Sequence, residues 1–282
     1  LGGGKEKEAK EEFSAIVLIT VLFGAVVTVL GFIFADPILK LLGTPDSLYQ
    51  VAYDYYSILV LFAIPTLLQV QFQYFFVTAG APSLGMICVI AGGVTHIILD
   101  YVFIILCGMD IGGAALATGI GYSVPSVVGL TWFAFNRKGI LSFTTPRIRL
   151  ATLRDCAVNG CGSTIINVAG GVVTLLFNRT IVVYLHEIGI SAASIILYAR
   201  FMLNSVISGY SSGVAPVISF NYGAKEYGRV KDGIRFNTII GTVYTLISWV
   251  IVVSFPELWF RIFSDDAQLL QSGVQMLKIY FF

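Results

Sequence analysis

Histidine occurs twice in 282 residues, cysteine four times, and charged residues make up only 12% of the chain. Two histidines, His96 and His186, are too few for a histidine-built metal centre. Cys88, Cys107, Cys156 and Cys161 are scattered through apolar runs and form neither a CxxC pair nor a disulfide framework. The apolar runs lack period-two alternation and are too long for strands. An ordinary soluble domain is about 25% charged, so the shortage of charge excludes almost every soluble fold. What fills the chain is hydrophobic, at 57%. The composition is that of an all-α polytopic membrane protein, and the net charge of +1 says nothing about partners.

Hydropathy marks seven complete spans, 13–35, 51–77, 84–107, 113–135, 156–184, 191–219 and 233–255, and an eighth, 268–282, that is cut short. Crossing the hydrocarbon takes about 20 apolar residues; the longer runs tilt or project. The chain begins Leu-Gly-Gly-Gly-Lys and ends at Phe282 inside an apolar run, so it reads as an interior piece of a longer protein.

Lysine and arginine set the orientation. Loops 1–12, 78–83, 136–155 and 220–235 carry twelve basic residues between them, and the alternate loops carry two, Lys40 and Arg261. By the positive-inside rule the first set is cytoplasmic. The alternation never breaks across the proposed spans.

An internal repeat is expected. Shifted by 221 residues, Asp36 falls on Glu257, Lys40 on Arg261, Leu48 on Leu269 and Ile58 on Ile279. The shared order is a Gly-rich basic loop, a span, an acidic-then-basic loop and the next span. An even number of spans separates the copies, so the repeat is parallel. The expected organisation is an amino-terminal lobe at 1–135 lacking its first two helices, a basic cytoplasmic linker at 136–155, and a carboxy-terminal lobe at 156–282 lacking its last helices. The whole protein would then hold two six-helix lobes.

One acid stands out. No charged neighbour accompanies Asp100 from Leu84 to Cys107. A carboxylate at the centre of a span costs about 2.5–3.5 kcal/mol on insertion scales, which marks it as a functional candidate facing protein or water. His96 is four residues earlier, on the same helix face. Asp100 lies ~10 Å from the end of its run, and Thr118 ~8 Å into the next, antiparallel run. The three side chains therefore fall at one depth, towards the outer face, as in a proton- or cation-binding site between helices.

Other intramembrane polar groups divide between function and packing. Arg200 is deep enough to line a cavity, whereas Arg179 is near enough to its span end to snorkel. Asn167, Asn204 and Gln73 are cavity candidates, although amides in spans more commonly bond between helices. Pro65, Pro125 and Pro216 each remove a backbone donor and kink a helix. Gly92-Gly93 and Gly170-Gly171 suit close helix packing. Tyr49, Tyr53, Tyr55 and Tyr56 read as an outer aromatic belt.

Three motifs carry a family resemblance. The stretch APVISFNYGAK from Ala215 to Lys225, followed by Arg229 and Lys231, resembles the signature at the end of the eighth helix of the multidrug and toxic compound extrusion (MATE) family, with Ser219 in place of the usual glycine. Leu99-Asp100, followed by GMDIGGAALAT from Gly108 to Thr118, resembles that family's fifth-to-sixth helix connection. Ala79-Gly-Ala-Pro82 matches the end of its fourth helix. The resemblance covers the third to the start of the tenth helix of twelve.

It implies a secondary active transporter, not an enzyme, in the plasma membrane. Such a transporter is a cation-coupled multidrug antiporter, driven by H⁺ or Na⁺, that exports amphipathic or cationic organic compounds by alternating access. No cofactor and no nucleic-acid partner are implied; the partners are small organic substrates and the lipid bilayer, and the state is monomeric. The family's amino-terminal-lobe ion site uses an Asn-x-x-x-Asp pair and a threonine. Asp100 and Thr118 match, but His96 stands where the asparagine is usual, and a protonated imidazole paired with Asp100 favours H⁺ over Na⁺. Carboxy-terminal-lobe acids known in some relatives are missing from 156–184 and 191–219. The rival reading is a lipid-linked saccharide flippase of the same broad superfamily, against which the NYGAK stretch argues. An integral membrane enzyme would need more clustered His, Asp, Glu or Ser than the spans contain.

Overall fold

A computed structural model describes residues 1–282 apart from 45, 138, 265 and 282; the side chains of 177–179, 181–188, 190 and 267 also lie outside the description. Every regular element among the described residues is helical. The chain divides into two units, Leu1–Arg154 and Asp155–Phe282.

The first unit opens with α1, Glu6–Ile33. Its 28 residues rise ~42 Å at 1.5 Å each, more than the ~30 Å hydrocarbon core. The acidic start, with Glu8, Glu11 and Glu12, therefore projects beyond the apolar part that begins near Phe13. Acids in the first turn also complement the helix dipole. A short α2, Ala35–Leu41, and a 3₁₀ turn, Asp46–Leu48, lead into α3, Tyr49–Leu61, and α4, Ala63–Thr78.

The run expected as one span at 51–77 is thus two helices, bent by 52°. Pro65 is the cause: it lacks an N–H, and its ring clashes with the carbonyl four residues back, that of Leu61. Hydroxyls from α1 and α6 serve the bend. Thr28 Oγ1 donates to the Val60 carbonyl at 3.0 Å, and Ser126 Oγ donates to the Pro65 carbonyl at 2.6 Å. In contrast, Pro125 and Pro216 do not interrupt their helices, contrary to expectation.

The hub of this unit is α6, Asp110–Phe135, which packs on α3, α4 and α5. Small residues let it sit so centrally: Gly113, Ala115, Ala117, Gly119, Gly121 and Gly129 are all buried. Side chains at Gly119 and Gly129 would run into the rings of Phe62 and Phe72. Between α6 and its neighbours, Phe13, Phe72, Phe76 and Phe133 form the core. Phe133 sits 4.8 Å from Phe13 and 5.4 Å from Phe76, centroid to centroid. Phe143, from the segment after α6, covers this core, and the Thr144 N–H bonds Ser14 Oγ at 2.9 Å.

The second unit contains most of α7, Leu150–Gly223, then α8, Tyr227–Ser254, α9, Pro256–Arg261, and α10, Ala267–Phe281. Two portions of α7, Leu150–Leu176 and Ser191–Gly223, are each long and apolar enough to cross a membrane. The loop expected at 185–190 is not found: the backbone there is part of α7, although the side chains of 185–188 and 190 lie outside the description. Ile196, Val252, Phe260 and Leu277 form the core here. Gly170 and Gly171 have nothing within 4 Å of an added Cβ, so the close packing expected at that pair is not found.

Among the described residues six helical segments are long and apolar enough to span, two of them portions of α7, or seven when α3 and α4 count as one; α10, with 15 residues, falls short. The internal repeat appears in the element bounds. Shifted by 221 residues, Glu6–Ile33 falls on Tyr227–Ser254, so α1 matches α8 end to end, while α2 and α9 both begin the connection that follows.

At the crossing of α5, Pro82–Asp100, with α6, a Cβ on Gly92 would lie 2.7 Å from the Gly121 carbonyl oxygen. Pro125 is four residues after Gly121 and has no N–H to give that carbonyl, which instead faces the bare Gly92 backbone. Gly92→Ala should therefore destabilise the helix pair by about 1–3 kcal/mol. Gly93→Ala, with nothing within 4 Å, should stay within about 0.5 kcal/mol. Thermal unfolding of the two variants in detergent checks the contrast.

Candidate functional site

The inner face of α5 carries buried Gly85, Cys88 and Gly92. His96 and Asp100 continue that stripe at steps of four, and so turn towards α6. Thr118 is presented from α6. The three residues expected to act together are indeed adjacent: His96 Nε2 lies 3.2 Å from Asp100 Oδ2 and 3.1 Å from Thr118 Oγ1. Thr118 Oγ1 also bonds its own helix, donating to the Ala114 carbonyl at 2.8 Å. A Cβ on Gly121 would lie 2.9 Å from His96 Cβ, so the ring is seated against bare α6 backbone.

Asp100 Oδ1 is buried without a hydrogen-bond partner. One carboxylate oxygen is thus held by an imidazole and the other is unsatisfied. The side chains are 40% and 33% exposed for His96 and Asp100. Chemically the arrangement offers an open carboxylate oxygen beside an imidazole. Among the described residues no group of three or more His, Cys, Asp or Glu could hold a metal ion.

Directly after Asp100 the helix changes character. Tyr101–Leu106 is π-helical, with the Cys107 N–H reaching the Val102 carbonyl at 2.9 Å, five residues back. Segments of this kind are rare and are frequent at functional sites. No sequence signal pointed to it.

The remaining candidates each have their own local surroundings. Gln73 Nε2 faces Gln69 Oε1 at 3.5 Å along α4. Asn167 Nδ2 donates to the Ser163 carbonyl of its own helix at 2.8 Å, and Asn204 is exposed. Arg200 Nη1 donates to Tyr280 Oη at 2.9 Å, a partner 80 residues away that sequence pattern did not reveal. Arg179 lies outside the described residues.

A second cluster was also missed. Arg149, just before α7, pairs with Glu8 of α1 and lies 3.8 Å from Glu11 and 4.0 Å from Glu12. Thr152 Oγ1 donates to Glu12 Oε1 at 3.0 Å. The hydrogen bond to Glu8 holds the Arg149 guanidinium above its usual range, and the same bond holds the Glu8 carboxyl below the usual carboxylate range. A depressed carboxyl supports the folded contact above its ordinary value and loses it as pH falls through the folded one. The distance between spin labels at Lys7 and Thr145 should therefore stay constant from neutral pH down through mildly acidic pH and lengthen only once the pH falls below the ordinary carboxylate range. In Arg149→Gln it should be longer at every pH.

Fold and site together define an all-helical polytopic membrane protein with a carboxylate–imidazole pair inside one helix hairpin. The MatE family model matches residues 1–102 and 163–282, and the chain belongs to that family. The multidrug export protein MepA of Staphylococcus saprophyticus is 26% identical over 260 residues, 92% of this chain and 57% of that protein. The MepA of Staphylococcus haemolyticus is 24% identical over 270 residues, 95% of this chain and 58% of that protein. Among solved structures, an outward-facing multidrug resistance MATE family transporter superposes with a TM-score of 0.88 at 16% identity, covering 98% of this chain and 62% of that one. A transporter of the MOP superfamily from Pyrococcus furiosus, described as having a binding pocket of reverse polarity, gives 0.88 at 17% identity, over 99% and 64%. The chain spans less than two thirds of the length of these relatives.

Proposed function

We propose that the chain forms much of a secondary active exporter of amphipathic or cationic organic compounds, driven by an inward flux of protons or sodium ions through alternating access. The observation that carries this reading is the Asp100 site. A carboxylate inside an apolar helix, with one oxygen held by His96 and the other unpartnered, is an expensive arrangement that ion binding relieves. The naming of the MepA relatives as multidrug export proteins supports the substrate class.

In this reading the ion binds at Asp100 from the outer side. Binding neutralises the buried charge and changes how α5 packs on α6, at the point where the π-helical segment begins. The exporter cycles only because the ion favours one conformation over the other. The basic loops face the cytoplasm, the protein works in the plasma membrane as a monomer, and 136–155 links two lobes.

Fluorescent-dye export from cells that make the intact transporter tests this. Asp100→Asn should reduce gradient-driven export to background while leaving the amount of protein in the membrane unchanged. Collapse of one ion gradient, and not the other, should stop wild-type export. Wild-type rates in Asp100→Asn would remove Asp100 from the mechanism.

A further inference from the structure

The hydrogen-bond geometry around His96 fixes which of its nitrogens carries hydrogen. An ionised carboxylate only accepts, so Nε2 must be the donor towards Asp100 Oδ2 at 3.2 Å. The Thr118 hydroxyl gives its one hydrogen to the Ala114 carbonyl at 2.8 Å, which leaves its oxygen as an acceptor for the same ring N–H at 3.1 Å. Both contacts assign the Nε2–H tautomer, and Nδ1 is then a lone-pair acceptor. Asp100, from α5 itself, and Thr118, from α6, are the polar groups that face the ring. No other charged or titratable side chain among the described residues lies within hydrogen-bond or ion-pair distance of it. The rest of its α6 side is the Gly121 backbone.

We propose that Nδ1 of His96 is a proton-binding position of its own, so that this site carries protons and rejects sodium. The inference rests on the exporter reading above. A proton arriving at Nδ1 converts the ring to an imidazolium without disturbing the Nε2–H bond to Asp100, and the pair becomes a neutralised ion pair. A further proton has the unpartnered Asp100 Oδ1 to bind.

A sodium ion meets the opposite situation. Hard cations are held by oxygen lone pairs. Here Asp100 Oδ2 and Thr118 Oγ1 both face a ring N–H, which offers a hydrogen where a ligand oxygen is needed. An asparagine at this position, as in the Asn-x-x-x-Asp pattern, would offer a carbonyl oxygen instead. His96 is thus a specificity-determining residue for the coupling ion.

The test uses the intact transporter, purified and reconstituted into vesicles, with dye transport driven by an imposed proton gradient or an imposed sodium gradient alone. Wild type should respond to the proton gradient and not to sodium. His96→Asn should lose about tenfold in proton-driven rate and gain transport driven by sodium, with dye binding retained as the check on folding. Nitrogen-15 NMR of wild-type His96 supplies a readout that needs no variant. It should show the Nε2–H tautomer at high pH and a doubly protonated ring at low pH. Sodium-driven transport by wild type, or an Nδ1–H tautomer at high pH, would overturn the proposal and leave the exporter reading intact. Asp100→Asn transporting at the wild-type rate would remove the exporter reading's coupling site and this proposal with it.

Discussion

Hydrocarbon supplies no hydrogen bonds, and most of this structure follows from that one constraint. Every polar group at membrane depth must find its partner inside the protein. The hydroxyls do so locally: Thr20, Thr66, Ser123 and Thr131 each donate to the carbonyl four residues back on their own helix. Where the backbone is broken, hydroxyls reach across instead. Thr28 and Ser126 serve carbonyls at the α3–α4 bend, and Tyr56 bonds the Gly31 carbonyl. Asp100 Oδ1 is one of a few buried polar atoms among the described residues that find no partner. Ser57 Oγ, Gln71 Oε1, Tyr210 Oη and Asn237 Oδ1 are also buried without a partner, but Asp100 alone among these is a carboxylate, and it stands next to an imidazole and a change of helix type.

The same constraint explains the glycines of α6. In the absence of a hydrophobic drive between helices in lipid, packing has to be close to be worth anything. Bare backbone at Gly121 and Gly92 brings α5 and α6 into contact at the level where His96 is seated. The site's geometry is therefore set by backbone on both sides, and small shifts in helix packing translate directly into the distances among His96, Asp100 and Thr118.

Much of this was legible in the sequence, because membrane spans announce themselves by length and composition. The site was legible too: a charge inside an apolar run, a partner at four residues and a threonine at matching depth need only helix geometry. The repeat could be read from weak matches at an offset of 221 residues, and the helix bounds reproduce it. What escaped was non-local or had no side-chain signature. Arg200 meets Tyr280 across 80 residues, and Arg149 meets Glu8 across 141. The π-helical stretch 101–106 differs from α-helix in backbone bonding alone, and YVFIIL suits either. Proline was over-read: Pro65 breaks its helix, whereas the carbonyl freed by Pro125 is accommodated beside Gly92, so α6 continues.

The central claim is that Asp100, with His96 beside it, is where ion binding and substrate release exchange. Proton release measured on adding dye to the purified intact transporter in weakly buffered solution tests this most directly. The account expects wild type to release protons as dye binds and Asp100→Asn to bind dye while releasing none. Equal proton release from the two proteins would contradict it.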